Sequence, residues 1–85
     1  MKRYQIVYKL KNDNKDYYQF FQYIETLDSV HIIDNVWWIK TDLNISTIIK
    51  ELKKYLEATD FFYVTELNQN IDGWLATTYW KWLKE

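Results

Sequence analysis

The 85-residue sequence contains no cysteine, one histidine and one glycine, and these scarcities exclude several classes of chemistry. Without cysteine the chain forms no disulfide and offers no thiolate as a nucleophile. The single histidine, His31, excludes zinc sites that are built from several histidines. The sequence also contains no glycine-rich phosphate loop, no Cys–His pair and no HExxH motif.

Long apolar runs are also missing from the sequence. No stretch reaches the roughly 20 apolar residues that a membrane span requires, and the basic start is not followed by a signal-like apolar run. The lack of cysteine is compatible with a reducing compartment. We therefore expect a cytoplasmic protein that has no membrane partner.

Aromatic residues make up 20% of the chain, hydrophobic residues 48% and charged residues 27%, which is typical of a globular protein. A chain of this length forms one domain and hides roughly 60–65% of the surface of its unfolded state. The content of Tyr and Trp is high, and these residues suit interfaces as well as cores.

The charges are unevenly distributed along the chain. A formal net charge of −1 argues against a general nucleic-acid coat, because phosphate binding needs a local excess of positive charge. The first fifteen residues nevertheless hold one acid, Asp13, against a cluster of basic residues. This cluster is either a solvated N-terminal edge or a patch that binds along the phosphate backbone of a nucleic acid. Its members are Lys2, Arg3, Lys9, Lys11 and Lys15.

Apolar periodicity predicts the order β-α-β-β-α-β followed by a terminal helix. Alternation with period two indicates strands, and apolar residues at i, i+3, i+4 and i+7 indicate helices. Asp34-Asn35 is a two-residue turn that should join its flanking strands into a hairpin. The predicted elements are strand Arg3–Leu10, helix Asp16–Leu27, strands Val30–Ile33 and Val36–Thr41, a helix with the stripe Ile45 to Leu56 and a cap at Asp42 or Asn44, strand Phe61–Leu67, loop Asn68–Gly73 and helix Trp74–Leu83.

This order predicts an α+β, ferredoxin-like fold with a four-stranded antiparallel sheet. Right-handed crossovers place both main helices on one sheet face, with strand one beside strand three and strand four outside strand one. Residues 1–67 form this domain, and residues 68–85 form a loop and a short helix that pack on it. We expect that helix either to cover the edge of strand four or to reach across a dimer. It would pack through Ala76, Tyr79, Trp80 and Leu83, with Trp74 anchoring the turn.

Trp37 and Trp38 are adjacent in the third predicted strand, so their rings point to opposite sheet faces. One indole joins the core, and the other lies on a face that the two main helices leave bare; alternation alone does not decide which. Phe61 and Phe62 divide in the same way. A bare face with large aromatic residues predicts a homodimer. The interface candidates are Val7, Trp37, Trp38, Phe61 and Phe62.

Residue sets for catalysis are scarce. Ser29 and Ser46 have only His31 as a base, and strand geometry brings no nucleophile elbow to either serine. Three carboxylates lie in loops at strand ends, where a dimer could assemble a weak Mg²⁺ site, although solvated caps and turns explain all of them. These carboxylates are Asp13, Asp34 and Asp42.

An RRM-like domain shares the predicted topology and stacks bases on sheet aromatics. Its Lys/Arg-Gly-Phe/Tyr-Gly/Ala-Phe-Val segment is absent from the third strand, Val36 to Thr41. Base stacking on sheet aromatics therefore remains a hypothesis, although the sequence motif that identifies an RRM is absent.

Short segments along nearly the whole chain match, in order and spacing, a pattern found in one group of proteins. The group's pattern begins with a strand Tyr-x-Ile-Ser-Tyr-Asp-Leu and continues with a hairpin that carries a His, then Leu-Glu-Ser-Thr-Trp and Lys-Thr-Asp. Its last strand ends in Val-x-Glu-Leu before a Gly-Trp tail. The corresponding segments here are Tyr4–Leu10, His31, Ile33–Trp37, Lys40–Asp42, Val64–Leu67 and Gly73-Trp74.

On these segments the chain resembles the small SinR-type proteins. They are a branch of the ferredoxin-like superfamily that contains the CRISPR-associated adaptation-subunit nucleases and the toxin-antitoxin nucleases VapD and GhoS. The resemblance implies the ferredoxin-like fold and a dimer. In the nuclease members of this superfamily an Asp ends the first strand. The resemblance implies that this Asp is associated with metal-dependent phosphodiester cleavage.

This sequence departs from the nuclease members at two positions. Lys9 replaces the aspartate, and Asn35 replaces the hairpin serine that is implicated in some relatives. A lysine cannot serve as a carboxylate ligand of Mg²⁺, and its charge repels the ion. The resemblance therefore implies the fold and the dimer, but this sequence lacks the aspartate that is associated with cleavage in the nuclease members.

Two functions remain as hypotheses. The first is a non-catalytic dimeric binding or regulatory module of a mobile-element or phage-defence setting, such as a regulator, an antitoxin-like protein or an inhibitor of a defence protein. It would use no cofactor and would bind nucleic acid or a partner protein. The second is a residual divalent-metal-dependent ribonuclease or deoxyribonuclease with Mg²⁺ on other carboxylates. The binding candidates are Lys9, Lys11, Lys15, Asn35 and Trp37.

Restoring the family aspartate tests the first hypothesis. The Lys9→Asp variant should show little or no cleavage, because Asn35 and the basic loop have also diverged. The measurement is incubation of the unmodified and variant proteins with single- and double-stranded RNA and DNA, in Mg²⁺, Mn²⁺ or EDTA. EDTA-sensitive cleavage by the unmodified protein, equal to that of the variant, would contradict the non-catalytic hypothesis.

Overall fold

The structure is a computed structural model and describes residues 1–12 and 15–85. The predicted order of elements is confirmed, with boundaries that differ by a few residues. The elements are β1 (Lys2–Lys9), α1 (Tyr18–Thr26), β2 (Asp28–Ile33), β3 (Val36–Thr41), α2 (Ile45–Lys53), β4 (Phe61–Glu66) and α3 (Thr77–Lys84).

The four strands form one antiparallel sheet in the order β2-β3-β1-β4, which confirms the α+β, ferredoxin-like prediction. Asp34 and Asn35 form the turn between β2 and β3. No described residue has a positive φ, so this turn does not use the left-handed conformation that its residues tolerate. A register irregularity between His31 and Ile33 accompanies it, as expected where a bulge adjusts a hairpin.

The core lies between the sheet and the pair α1 and α2. Alternation along β1 sends every second side chain toward the helices, where an edge-to-face contact joins the Tyr8 and Phe20 rings at 5.4 Å between centroids. Burying each large apolar side chain stabilises the fold by roughly 1.5–3 kcal/mol. The core residues are Tyr4, Ile6, Tyr8, Phe20, Ile24, Trp37, Ile39, Ile48 and Leu52.

A side-chain cap fixes where α2 begins, whereas the N-cap residue of α1, Tyr17, provides none. The Asn44 carboxamide oxygen accepts a hydrogen bond from the Thr47 N–H at 2.9 Å, so Asn44 rather than Asp42 caps α2. The Asp16 carboxylate accepts from the Tyr18 N–H at 2.9 Å, and α1 begins at Tyr18, two residues later than predicted.

The expectation of a bare sheet face opposite α1 and α2 is wrong for half of that face. There α3 lies over β2 and β3, with the Trp80 and Trp82 rings 5.8 and 6.4 Å from the Trp38 ring. The tail thus takes neither of its two predicted positions, because its indoles find an apolar surface in their own chain. Trp74 is fully exposed and does not anchor the turn, and Ala76 is also exposed.

Asp60, which the sequence patterns do not single out, ties three parts of the chain together. It is buried, and its carboxylate accepts hydrogen bonds from the Lys11 N–H at 3.0 Å, the Tyr17 hydroxyl at 2.7 Å and the Glu57 N–H at 2.9 Å. Burial acts to raise the pKa of Asp60, but the hydrogen bonds outweigh it and the net pKa is lowered. The charged form is therefore the one that the fold prefers.

The variant Asp60→Asn should lower the free energy of unfolding at pH 7 by roughly 2 kcal/mol, because its NH₂ group cannot accept a bond. Since the folded pKa is lowered, the stabilisation is complete above the ordinary value of 3.8 and is lost as the pH falls through the folded value. Urea unfolding between pH 7 and pH 2 measures this difference. Glu25→Gln, at an exposed acid, is the control. A difference that does not shrink at low pH would contradict the assignment.

Candidate functional site

The structure decides which tryptophan faces which side of the sheet. Trp37 lies in the core, where its ring stacks on His31 at 4.6 Å between centroids and its indole N–H donates to the Tyr8 hydroxyl at 3.2 Å. Trp38 lies on the opposite face and donates to the Gln5 carboxamide oxygen at 3.0 Å. Because Trp37 is 8% exposed and Trp38 2% exposed, neither predicted aromatic offers a free ring.

The exposed aromatic rings come from β4 instead. Phe61 pairs with Lys9 across β1 and is 58% exposed, whereas Phe62 packs against the core. Tyr63 pairs with Val7 and is 57% exposed. The sequence analysis missed Tyr63, although its position two residues after Phe61 on a strand places both rings on the same face.

These residues form a surface that we call the cationic strip: Val7, Lys9, Lys11, Phe61 and Tyr63. It occupies the part of the sheet face that α3 does not cover. The Lys11 ammonium lies 4.2 Å from the centre of the Phe61 ring, within the range of a cation–π interaction. The open-face positions of β1, β3 and β4 carry no acid. The strip is therefore positive although the whole chain has a net charge of −1.

Lys9 and Asn35, the two positions that depart from the nuclease pattern, are brought together. Both line a shallow hollow at the end of the β2–β3 hairpin, with His31 and Asp34 on its other walls. The Tyr8 N–H donates to the Asn35 carbonyl at 3.2 Å and thereby holds the turn against β1.

Tyr8 contributes a neutral hydroxyl to this region. Burial raises the pKa of Tyr8, the hydrogen bond from Trp37 lowers it, and the charge of Asp34 raises it, with a net upward shift. The phenol therefore keeps its proton and donates to the Asp34 carbonyl at 3.1 Å. It can position the turn, but it cannot act as a general base at neutral pH.

Lys15 does not join the strip. Its ammonium donates to the Tyr55 carbonyl at 3.0 Å, lies 3.9 Å from a Glu57 carboxylate oxygen and 5.2 Å from the Tyr17 ring centre. These partners belong to the segment that follows α2 and to the start of α1. The basic N-terminal cluster thus divides, with Lys9 and Lys11 on the strip and Lys15 bound elsewhere.

The carboxylates proposed for Mg²⁺ do not meet within one chain. Asp34 lies in the β2–β3 turn, and Asp42, which is 3.8 Å from the N-terminal amine, lies beyond the other end of β3. Asp13 lies outside the described residues. In residues 1–12 and 15–85 no group of three or more His, Asp or Glu side chains is arranged to hold a metal ion.

None of the helices in the described ranges combines the length and the apolar character that crossing a bilayer requires. Comparisons of the chain with models of protein families, with curated proteins and with solved structures find no match.

Proposed function

We propose that the protein is a non-catalytic binding module that holds single-stranded nucleic acid on the cationic strip. In this proposal it derives from a ferredoxin-fold nuclease that lost its metal-binding aspartate, and it acts as a regulator, antitoxin-like protein or inhibitor in a mobile-element or phage-defence setting. One observation carries the proposal: two exposed aromatic rings lie beside two lysines on a face of β1 and β4 whose strand positions carry no acid.

The strip supplies the two interactions that a single strand needs. Lys9 and Lys11 provide positive charge for phosphates, and the faces of Phe61 and Tyr63 can stack on bases. Residues two apart on a strand are separated by about 6.7 Å. Stacked bases in a duplex rise by about 3.4 Å. Rings at the wider spacing suit bases that are splayed apart, which is how proteins recognise single strands.

The same geometry supports binding without cleavage. Lys9 brings a positive charge to the position where nuclease relatives carry a metal ligand, and the neighbouring Tyr8 stays protonated. Asp34 in the turn and Glu25 on α1 are the two acids that line the hollow, and in the described residues they belong to no group of three side chains that could hold a metal ion. Phosphate contacts through Lys9 in this arrangement would position a strand.

Removing strip residues should weaken binding without unfolding the domain. Phe61→Ala should reduce the affinity for a labelled twelve-nucleotide single strand about tenfold, since one base loses its stacking partner. Lys9→Ala should flatten the dependence of log affinity on log salt by about 0.7, the value for one phosphate on a single strand. Fluorescence anisotropy between 50 and 200 mM salt measures both quantities.

Two matched variants serve as controls for these effects. Tyr18→Ala removes an aromatic residue that is 62% exposed on α1, and Lys50→Ala removes an exposed cation on α2. Both should bind as the unmodified protein does. Equal losses in the controls and in the strip variants, or preferential binding of duplexes, would refute the strip as the binding site.

The homodimer stays a prediction, and the structure narrows the apolar surface available to it. Since α3 covers Trp38, the exposed apolar side chains left on this face include Phe61 and Tyr63, with Lys9 and Lys11 beside them. A two-fold contact through the strip would compete with a bound strand for the same residues, and it would bring like charges together that salt would screen. Light scattering should therefore show a dimer that strengthens with salt and weakens in Phe61→Ser. A monomer mass at all salt concentrations would contradict this prediction.

A further inference from the structure

Arg3 and Lys40 form an unfavourable cross-strand pair beneath α3. They stand directly opposite each other in the register of β1 and β3, on the open face of the sheet. Like charges in this relation destabilise a sheet. Neither side chain forms an ion pair with a carboxylate in the described part of the chain. Lys40 is nevertheless buried, at 7% exposure. On its other side Lys40 stands opposite Asp28 of β2, so the pair has one acid as a cross-strand neighbour and requires further partners that are rich in electrons.

In the structure, α3 supplies that partner. The Arg3 guanidinium donates to the Leu83 carbonyl in the last turn of α3, which is the negative end of the helix dipole. The Lys40 ammonium lies 4.4 Å from the centre of the Trp82 ring. Trp80 and Trp82 cover the ring of Trp38, and the Trp82 indole N–H donates to the Asp28 carboxylate at 3.1 Å.

The groups that α3 offers are the groups that a single strand also offers. A carbonyl oxygen takes the place of a phosphate oxygen at Arg3, and indole faces take the place of bases against Trp38 and Lys40. The attachment of α3 is shallow, because none of its residues is buried. Its helix is joined to β4 by residues 67–76, which contain no helix or strand.

We propose that Arg3, Trp38 and Lys40 form a second subsite for single-stranded nucleic acid, which α3 occupies as an internal competitor until a longer strand displaces it. This inference rests on the proposed function. The subsite is continuous with the cationic strip, because Arg3 and Lys9 lie on the same face of β1, about 20 Å apart. A strand that is too short to pass beyond the strip leaves α3 in place.

The variant Trp82→Ala tests the proposal by weakening the competitor. Its affinity for a twelve-nucleotide oligothymidylate should rise about tenfold, whereas the affinity for a four-nucleotide strand should stay the same. In both proteins the dependence of log affinity on log salt should be steeper for the longer strand by at least about 1.4, because only the longer strand contacts the two further phosphates at Arg3 and Lys40. Thr78→Ala, at an exposed position on the same helix, is the matched control and should change neither quantity.

A double substitution identifies the surface that becomes available. Lys40→Met in the Trp82→Ala protein should abolish the gain for the longer strand. Lys40→Met alone should lower the affinity for the twelve-nucleotide strand and not for the four-nucleotide strand, because only the longer strand displaces α3 and reaches that position. In the unmodified protein, the NMR signal of the Trp82 indole N–H should shift when the twelve-nucleotide strand binds and not when the four-nucleotide strand binds. This signal decides the question even if Trp82→Ala fails to fold by circular dichroism.

The outcomes separate this inference from the function on which it rests. If the unmodified protein binds both strands while Trp82→Ala gains nothing and the indole signal does not move, the subsite is refuted and the strip stands. If only the Trp82→Ala protein binds the twelve-nucleotide strand, and adding Phe61→Ala to that protein does not weaken binding, the subsite stands and the strip is refuted. If no protein binds either strand and the indole signal stays unchanged, both proposals are overturned.

Discussion

The pairing of β1 with both β3 and β4 is the constraint on which the rest of the structure depends. β1 is the first strand in the chain and an inner strand of the sheet, so its alternation decides what each sheet face becomes. Tyr4 and Ile6 point into the core, and Arg3 and Lys9 point the other way. A shift by one residue would bury the cations and expose the core residues, so the register is strongly specified.

Charge separation between faces follows from the same alternation. The chain is nearly neutral, yet cations on the open face of β1 and β3 have no acids among their neighbours on the three strands β1, β3 and β4. Asp28 on β2 is bound by the Trp82 indole at the margin of that face. A surface with this pattern has a local field that differs from the field of the whole molecule, and local field governs association with polyanions.

Much of the fold could be predicted because it depends on local periodicity. Alternation, helix stripes and a two-residue turn were sufficient for the element order, and the right-handed crossover rule then gave the strand order. The position of α3 could not be predicted in this way, since Trp80 and Trp82 are two residues apart and do not belong to one helical stripe. Periodicity also cannot tell whether an aromatic face meets its own chain or another. The role of Asp60 depends on partners up to 49 residues away in sequence, which no local pattern encodes.

The order of the strands in the sequence has a consequence for how the molecule is made. β1 begins at residue 2, but its neighbour β4 begins only at residue 61. One side of β1 can therefore pair only after most of the chain has been synthesised. Contacts of such large sequence separation form slowly, because closing the long intervening segment costs entropy before it yields contacts. During translation the hairpin of β2 and β3 can already be paired with β1. The edge that carries Phe61 and Tyr63 is then the last part of the sheet to assemble.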